Sequence, residues 1–156
     1  MRHARFERTT FLGRTDFQHA VFTGTARFGQ ASFTDTAGFT EAAFGQEASF
    51  AGAGFTGDAE FHAASFAEEA WFTGAEFDGS ADFTAAAFTG TAWFDAAAFA
   101  GDAGSHRVVF AEDAWFSDAF FSPDARFAGS TFARHVWFNR TAFAGGAPPE
   151  QLFRDR

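Results

Sequence analysis

Phenylalanine recurs along this chain at a spacing that constrains the fold more than any other feature. Counting from Phe6, it stands at 11, 17, 22, 28, 33, 39, 44, 50, 55, 61, 66, 72, 77, 83, 88, 94 and 99, then at 110, 116, 121, 127, 132, 138 and 143. Steps of five and six alternate, so the unit is eleven residues, and Ser105 takes the slot that falls due between Phe99 and Phe110. Phe fills 25 of the 26 consecutive slots, and no helical pattern survives that spacing.

The residue two before each Phe is nearly as regular. It is Ala at most positions (Ala26, Ala37 and Ala48, for example), and the exceptions are small or β-branched: Thr9, Thr15, Val108, Ser130, Val136 and Thr141. Each unit therefore reads Ala-x-Phe, a short strand with Ala and Phe pointing inward and the middle residue outward. The intervening residues are turn formers, as in Thr23-Gly24-Thr25 and Thr56-Gly57-Asp58. Gly13, Gly57, Gly79, Gly101 and Gly145 recur in one corner, where a positive φ is expected. Composition agrees: the chain has 27 Phe, lacks Tyr, Cys, Ile and Lys, and has Leu only at Leu12 and Leu152. One large residue supplying nearly the whole core means that one packing problem recurs, and a small partner is needed because the tube is narrow.

The outward positions decide how many strands close a coil. Trp71, Trp93, Trp115 and Trp137 lie 22 apart in one column headed by Arg5, Arg27 and Ser49. The column offset by 11 carries Asp16, Gly38, Glu60, Asp82, Gly104 and Arg126. The two differ in kind, so the expectation is an all-β solenoid with four faces and 22 residues per coil. Trp93 and Trp115 should then be neighbours about 5 Å apart, whereas an eleven-residue coil would separate them by about 10 Å.

The Ala-x-Phe units resemble the pentapeptide-repeat family, whose motif sets a small residue two before a central Leu or Phe. The resemblance implies a right-handed quadrilateral β-helix. It also implies a possible role, since some members resemble B-form DNA in size and charge and occupy the DNA site of type II topoisomerases such as gyrase. The chain departs from a strict five-residue period by adding a sixth residue in alternate units, which leaves the corner geometry to be determined.

Net charge is −9, unevenly spread. Residues 1–27 hold five Arg against Glu7 and Asp16, residues 28–106 hold 12 acids and no Arg or Lys, and residues 107–156 balance. An acidic middle keeps a β-rich chain soluble, suits a DNA mimic competing for a basic groove, and argues against direct nucleic-acid binding. The Trp71, Trp93, Trp115 and Trp137 column, with Phe120 outward on the next face, is the candidate interaction surface for a protein partner or for self-association.

No enzymatic site is expected. Ser105, Asp102 and His106 invite a triad reading, but consecutive strand positions alternate faces and cannot converge on one proton. Ser105 instead marks a coil distortion, with Phe94 or Phe116 expected to fill the gap. His3, His19, His62, His106 and His135 are scattered, and His62 and His106 lie two coils apart, so no metal or cofactor is expected. Thr23, Thr34, Thr56 and Thr89 make no unbroken outward ladder of the ice-binding kind.

The expected organisation is a solenoid over residues 1–146 and a C-terminal capping segment over residues 147–156. There Pro148 and Pro149 break the repeat and Leu152 and Phe153 could cover the last coil. No N-terminal cap is visible. With no secretory signal and no apolar run long enough to span a bilayer, a cytoplasmic protein without a membrane partner is expected. Its basic residues are all Arg, and with abundant Ala and Gly this points to a GC-rich bacterial coding sequence.

Overall fold

The structure is a computed structural model that describes residues 1–146; the capping segment expected at 147–156 lies outside the described residues. Within them the chain forms two-residue strands arranged in four parallel sheets of seven, seven, five and six strands. Face 1 stacks Ala4–Arg5, Ala26–Arg27, Ala48–Ser49, Ala70–Trp71, Ala92–Trp93, Ala114–Trp115 and Val136–Trp137, which number coils 1 to 7. Face 2 begins at Thr10–Phe11, face 3 at Thr15–Asp16 and face 4 at Val21–Phe22. Each residue pairs with the one 22 further on, as in Ala4 with Ala26 and Trp93 with Trp115, so four faces close one coil. The molecule is a β-solenoid of about six turns. No helix among the described residues is long and apolar enough to cross a membrane.

The expected three-residue strands are shorter in the structure, and they alternate in register. Faces 1 and 3 pair the Ala and the outward residue, while faces 2 and 4 pair the outward residue and Phe. On face 1 the amides of Ala26 and Phe28 donate up to the carbonyls of Glu47 and Ser49; on face 2 those of Ser32 and Thr34 donate down to Thr9 and Phe11. This alternation explains the five-and-six spacing. Five-residue steps turn through two residues, with Thr9 N–H closing back on the Phe6 carbonyl and Arg8 at φ 56°. Six-residue steps take a three-residue bend.

The positive φ therefore sits elsewhere than the glycine pattern suggests. It recurs at Arg8, His19, Gln30, Glu41, Ala63, Ala85, Ala96, Arg107, Asp118 and Arg140, in the two-residue corners. Of the glycines expected to need it there, Gly13 does, at φ 78°, whereas Gly57, Gly79, Gly101 and Gly145 do not. At Gly57, Gly79 and Gly101 the requirement is proximity. A Cβ on Gly79 would lie 2.6 Å from the Gly57 carbonyl, and one on Gly101 would lie 2.3 Å from the Gly79 oxygen.

The core is a bundle of phenylalanine stacks. Along the axis, rings from successive coils lie nearly parallel, as in Phe22 on Phe44 at 4.9 Å and 3° and Phe44 on Phe66 at 4.8 Å and 5°. Across the tube they meet edge to face, as in Phe39 against Phe50 at 5.3 Å and 87°. Both arrangements set the positive ring edge against the negative face or offset the faces. The Ala slots between stacks are closed to solvent, and where a larger residue takes the slot, as at Val108 and Val136, it too is buried. Each buried Phe contributes roughly 1.5–3 kcal/mol before ordering entropy is subtracted.

Coil 5 interrupts one stack. Ser105 points into the tube and lines a cavity of about 10 Å³ together with Phe83, Phe94, Phe99, Phe116 and Phe127. Phe94 and Phe116 thus border the gap rather than filling it, because their rings stay stacked on each other at 5.1 Å. The adjoining turn is also opened. In other coils the Ala amide donates to the carbonyl three residues back; here the Val108 amide donates to the Ser130 hydroxyl at 3.1 Å, and that hydroxyl donates to the Ser105 carbonyl. Ser130, in a slot that is usually Ala, bridges the broken turn.

Candidate interaction face

The parallel register of face 1 sets every outward side chain directly above the one 22 residues earlier. Arg5, Arg27, Ser49, Trp71, Trp93, Trp115 and Trp137 therefore form one column. The indole rings stack at 4.9 Å, 5.4 Å and 3.9 Å with interplanar angles of 4°, 11° and 7°. Identical aromatics at the sheet repeat stabilise the face by themselves. The column is expected as an exposed ladder; in the structure each ring shields the next, and all four tryptophans are half-buried. Trp93, mid-column, has its Nε1–H shut from solvent without a hydrogen-bond partner. Phe120 shares coil 6 with Trp115 but lies around the corner on face 2, 39% exposed, next to Ala98 and Ala142.

The corners beside this column carry charge that the outward pattern alone does not reveal; the signal was present as the same 22-residue spacing applied to corner positions. On one side run Arg2, then Glu47, Glu68 and Glu69, then Glu112 and Asp113, then Arg134 and His135. On the other run Glu7 and Arg8, Gln30, Asp95, Asp118 and Arg140. The pairs connect adjacent coils. Arg140 grips Asp118 through two hydrogen bonds of 2.7 Å, Arg134 meets Glu112 at 2.9 Å and His135 meets Asp113 at 3.3 Å. The hydrogen bonds from Arg140 hold the Asp118 carboxyl below the usual range. Asp95 shifts the other way: burial raises it, and the Ser117 N–H that it accepts at 3.0 Å offsets only part of that.

Elsewhere the residues remain apart, as their spacing requires. Ser105 faces the tube, while Asp102 and His106 lie in the corners on either side of that strand. Among the described residues no group of His, Cys, Asp or Glu is placed to hold a metal ion.

Stacked parallel coils, a core of one repeated side chain and corner turns at a fixed interval define a β-solenoid repeat protein. The family model for pentapeptide repeats (9 copies) matches residues 1–43 and 17–65, and the same Phe register continues to Phe143. Over residues 1–65 the chain is similar to the pentapeptide-repeat family. No curated protein and no solved structure matches it.

Proposed function

We propose that this chain is a non-enzymatic interaction scaffold that contacts a protein through face 1. The observation that carries this reading is the column of four stacked, half-buried tryptophans on the outside of a solenoid whose interior is packed with its own phenylalanines. Aromatic side chains on a rigid platform contribute a large contact area and lose little conformational freedom on binding. The test compares the wild-type chain with Trp93→Ser/Trp115→Ser, first by light scattering after gel filtration and then by affinity capture from the native cell. Loss of self-association or of a captured protein in the variant supports the proposal; unchanged mass and unchanged capture overturn it.

A second reading, an acidic mimic of DNA acting on a type II topoisomerase, is supported by a different side of the molecule. The corner between faces 2 and 3 carries Asp35, Asp58, Asp78, Asp102 and Asp124 in successive coils, with Glu60 and Asp82 beside them on face 3. Such a ridge would compete for a basic groove that holds phosphates. A gyrase supercoiling assay decides it: inhibition or protection that is lost on changing these aspartates to Asn supports mimicry, and no effect at high concentration counts against it.

A further inference from the structure

Ser49 leaves a notch in the outward column of face 1. Trp71 stacks on Trp93 at 4.9 Å, and among the described residues it stacks on no other ring, so its side toward coil 3 has no aromatic cover. The next residue in register on that side is Ser49, followed by Arg27 and then Arg5. Arg5 and Arg27 are exposed and paired across neighbouring strands, and among the described residues neither forms an ion pair. Like charges in that position repel, so the pair favours an anion. Beside the column, coils 3 and 4 carry the opposite sign at Glu47, Glu68 and Glu69.

We propose that this notch binds a nucleoside phosphate, its base held between Trp71 and Arg27 over Ser49 and its phosphate turned toward Arg5. Successive coils stand about 4.8 Å apart, so a ring at the level of Ser49 lies about 4.8 Å from the Trp71 level and from the Arg27 level. The first distance suits an offset aromatic stack, and the second is within reach of a cation–π contact. The base thereby continues the tryptophan ladder by one step. The Ser49 hydroxyl accepts the Ala51 N–H at 3.4 Å and keeps its own proton to donate. Glu47, two residues earlier and half-buried, has no side-chain hydrogen bond or ion pair among the described residues, and its carboxylate can accept from an exocyclic amino group. On the other flank Ala51 and Gly52 are small and leave the notch open.

The charge pattern selects among aromatic anions. A carboxylate fixed directly to the ring stays at the level of Ser49, where Glu47 repels it. An anion carried on a spacer reaches the arginines instead: Arg5 stands about 9.6 Å from Ser49 along the column, a gap that a sugar and the length of the arginine side chain bridge. A nucleic-acid strand running through the notch would bring a further phosphate onto coil 4, against Glu68 and Glu69, so a single nucleotide fits better than a polymer. Trp93 and Trp115 offer no second site of this kind, because each is stacked on both sides by neighbouring tryptophans.

Isothermal titration with adenosine monophosphate tests the proposal, with thermal melts confirming that each variant is folded. The wild type should bind it saturably, adenosine more weakly for want of the anion, and inorganic phosphate not at all. Trp71→Ser should weaken binding about tenfold, in keeping with the worth of one stacked base. Arg27→Ser should weaken it too, whereas Arg14→Ser, which removes a like charge from a distant corner, should leave it unchanged. Ser49→Trp sets an indole in the notch and extends the ladder, so it should abolish binding in a chain that stays folded. No binding of adenosine monophosphate at millimolar concentration overturns the site. So does binding that survives both Trp71→Ser and Ser49→Trp, that phosphate alone reproduces, that adenosine matches, or that Arg14→Ser lowers as much as Arg27→Ser. The protein contact proposed for face 1 is read separately, by capture, and stands or falls apart from these results.

Discussion

Ala85 and Ala96 hold φ of 61° and 58°, a left-handed backbone that an L side chain adopts at a cost of roughly 1–2 kcal/mol. What keeps them there is the ladder: Ala85 N–H donates to the His106 carbonyl at 2.9 Å and Ala96 N–H to that of Ser117 at 2.8 Å. Replacing Ala85 with Gly relieves the strain but gives the unfolded chain more freedom, worth about 0.4–1 kcal/mol. We expect Ala85→Gly to gain about 0.5–1 kcal/mol in denaturant melts. This corner was not legible in the sequence, because inter-coil hydrogen bonds select its conformation and residues as unlike as Arg, His, Gln and Ala all comply. The Ser105 break was legible as a broken Phe register. Its remedy was not, since Ser130 acts from the next coil. Ser130→Ala leaves the Val108 N–H and the Ser105 carbonyl without their shared partner, and should lower stability by about 1–3 kcal/mol in the same melts.

Among elements, the three-residue corners and the ladder edges decide tolerance to change. Gly79→Ala drives a methyl into the Gly57 carbonyl, 2.6 Å away, whereas a Cβ on Gly54 meets nothing within 4 Å. We expect thermal melts to show Gly79→Ala losing about 1–3 kcal/mol and Gly54→Ala neutral or better. The recurrence of these glycines every 22 residues was readable; that they serve close approach rather than φ became clear only once one coil lay on another. The aspartates beside the Trp column respond to pH in opposite senses. Asp95 has a raised folded pKa, so its ionised form costs stability above that pKa, and the cost fades as pH falls through it. Asp118 has a lowered one, so its contribution is full above the unfolded pKa and is lost as pH falls through the folded value. Asp95→Asn keeps the oxygen that accepts from Ser117 while removing the charge. It should raise Tm near neutral pH, and the gain should shrink in acid.

At the scale of the whole molecule, the fold followed from two periods: eleven residues inside, set by Phe and Ala, and 22 outside, set by Trp. The inner period alone is compatible with either coil, because the tube interior looks alike from every face. Only the outward columns, which packing leaves free to vary, distinguish them. The same freedom limits what the sequence says about function. It placed Trp71, Trp93, Trp115 and Trp137 on one face, but not the arginines and acids around the corners that give the face a direction. That charge pattern depends on the 22-residue coil. The chain has no cysteine, so an introduced pair reports its own contact. Glu60 and Asp82 are paired on adjacent coils of face 3, at a separation of about 4.8 Å that suits a disulfide. Oxidation of Glu60→Cys/Asp82→Cys should yield an intramolecular disulfide in the folded chain, and Glu60→Cys/Trp71→Cys, on opposite faces, should yield none. A disulfide in the second pair and not in the first would contradict the four-faced coil.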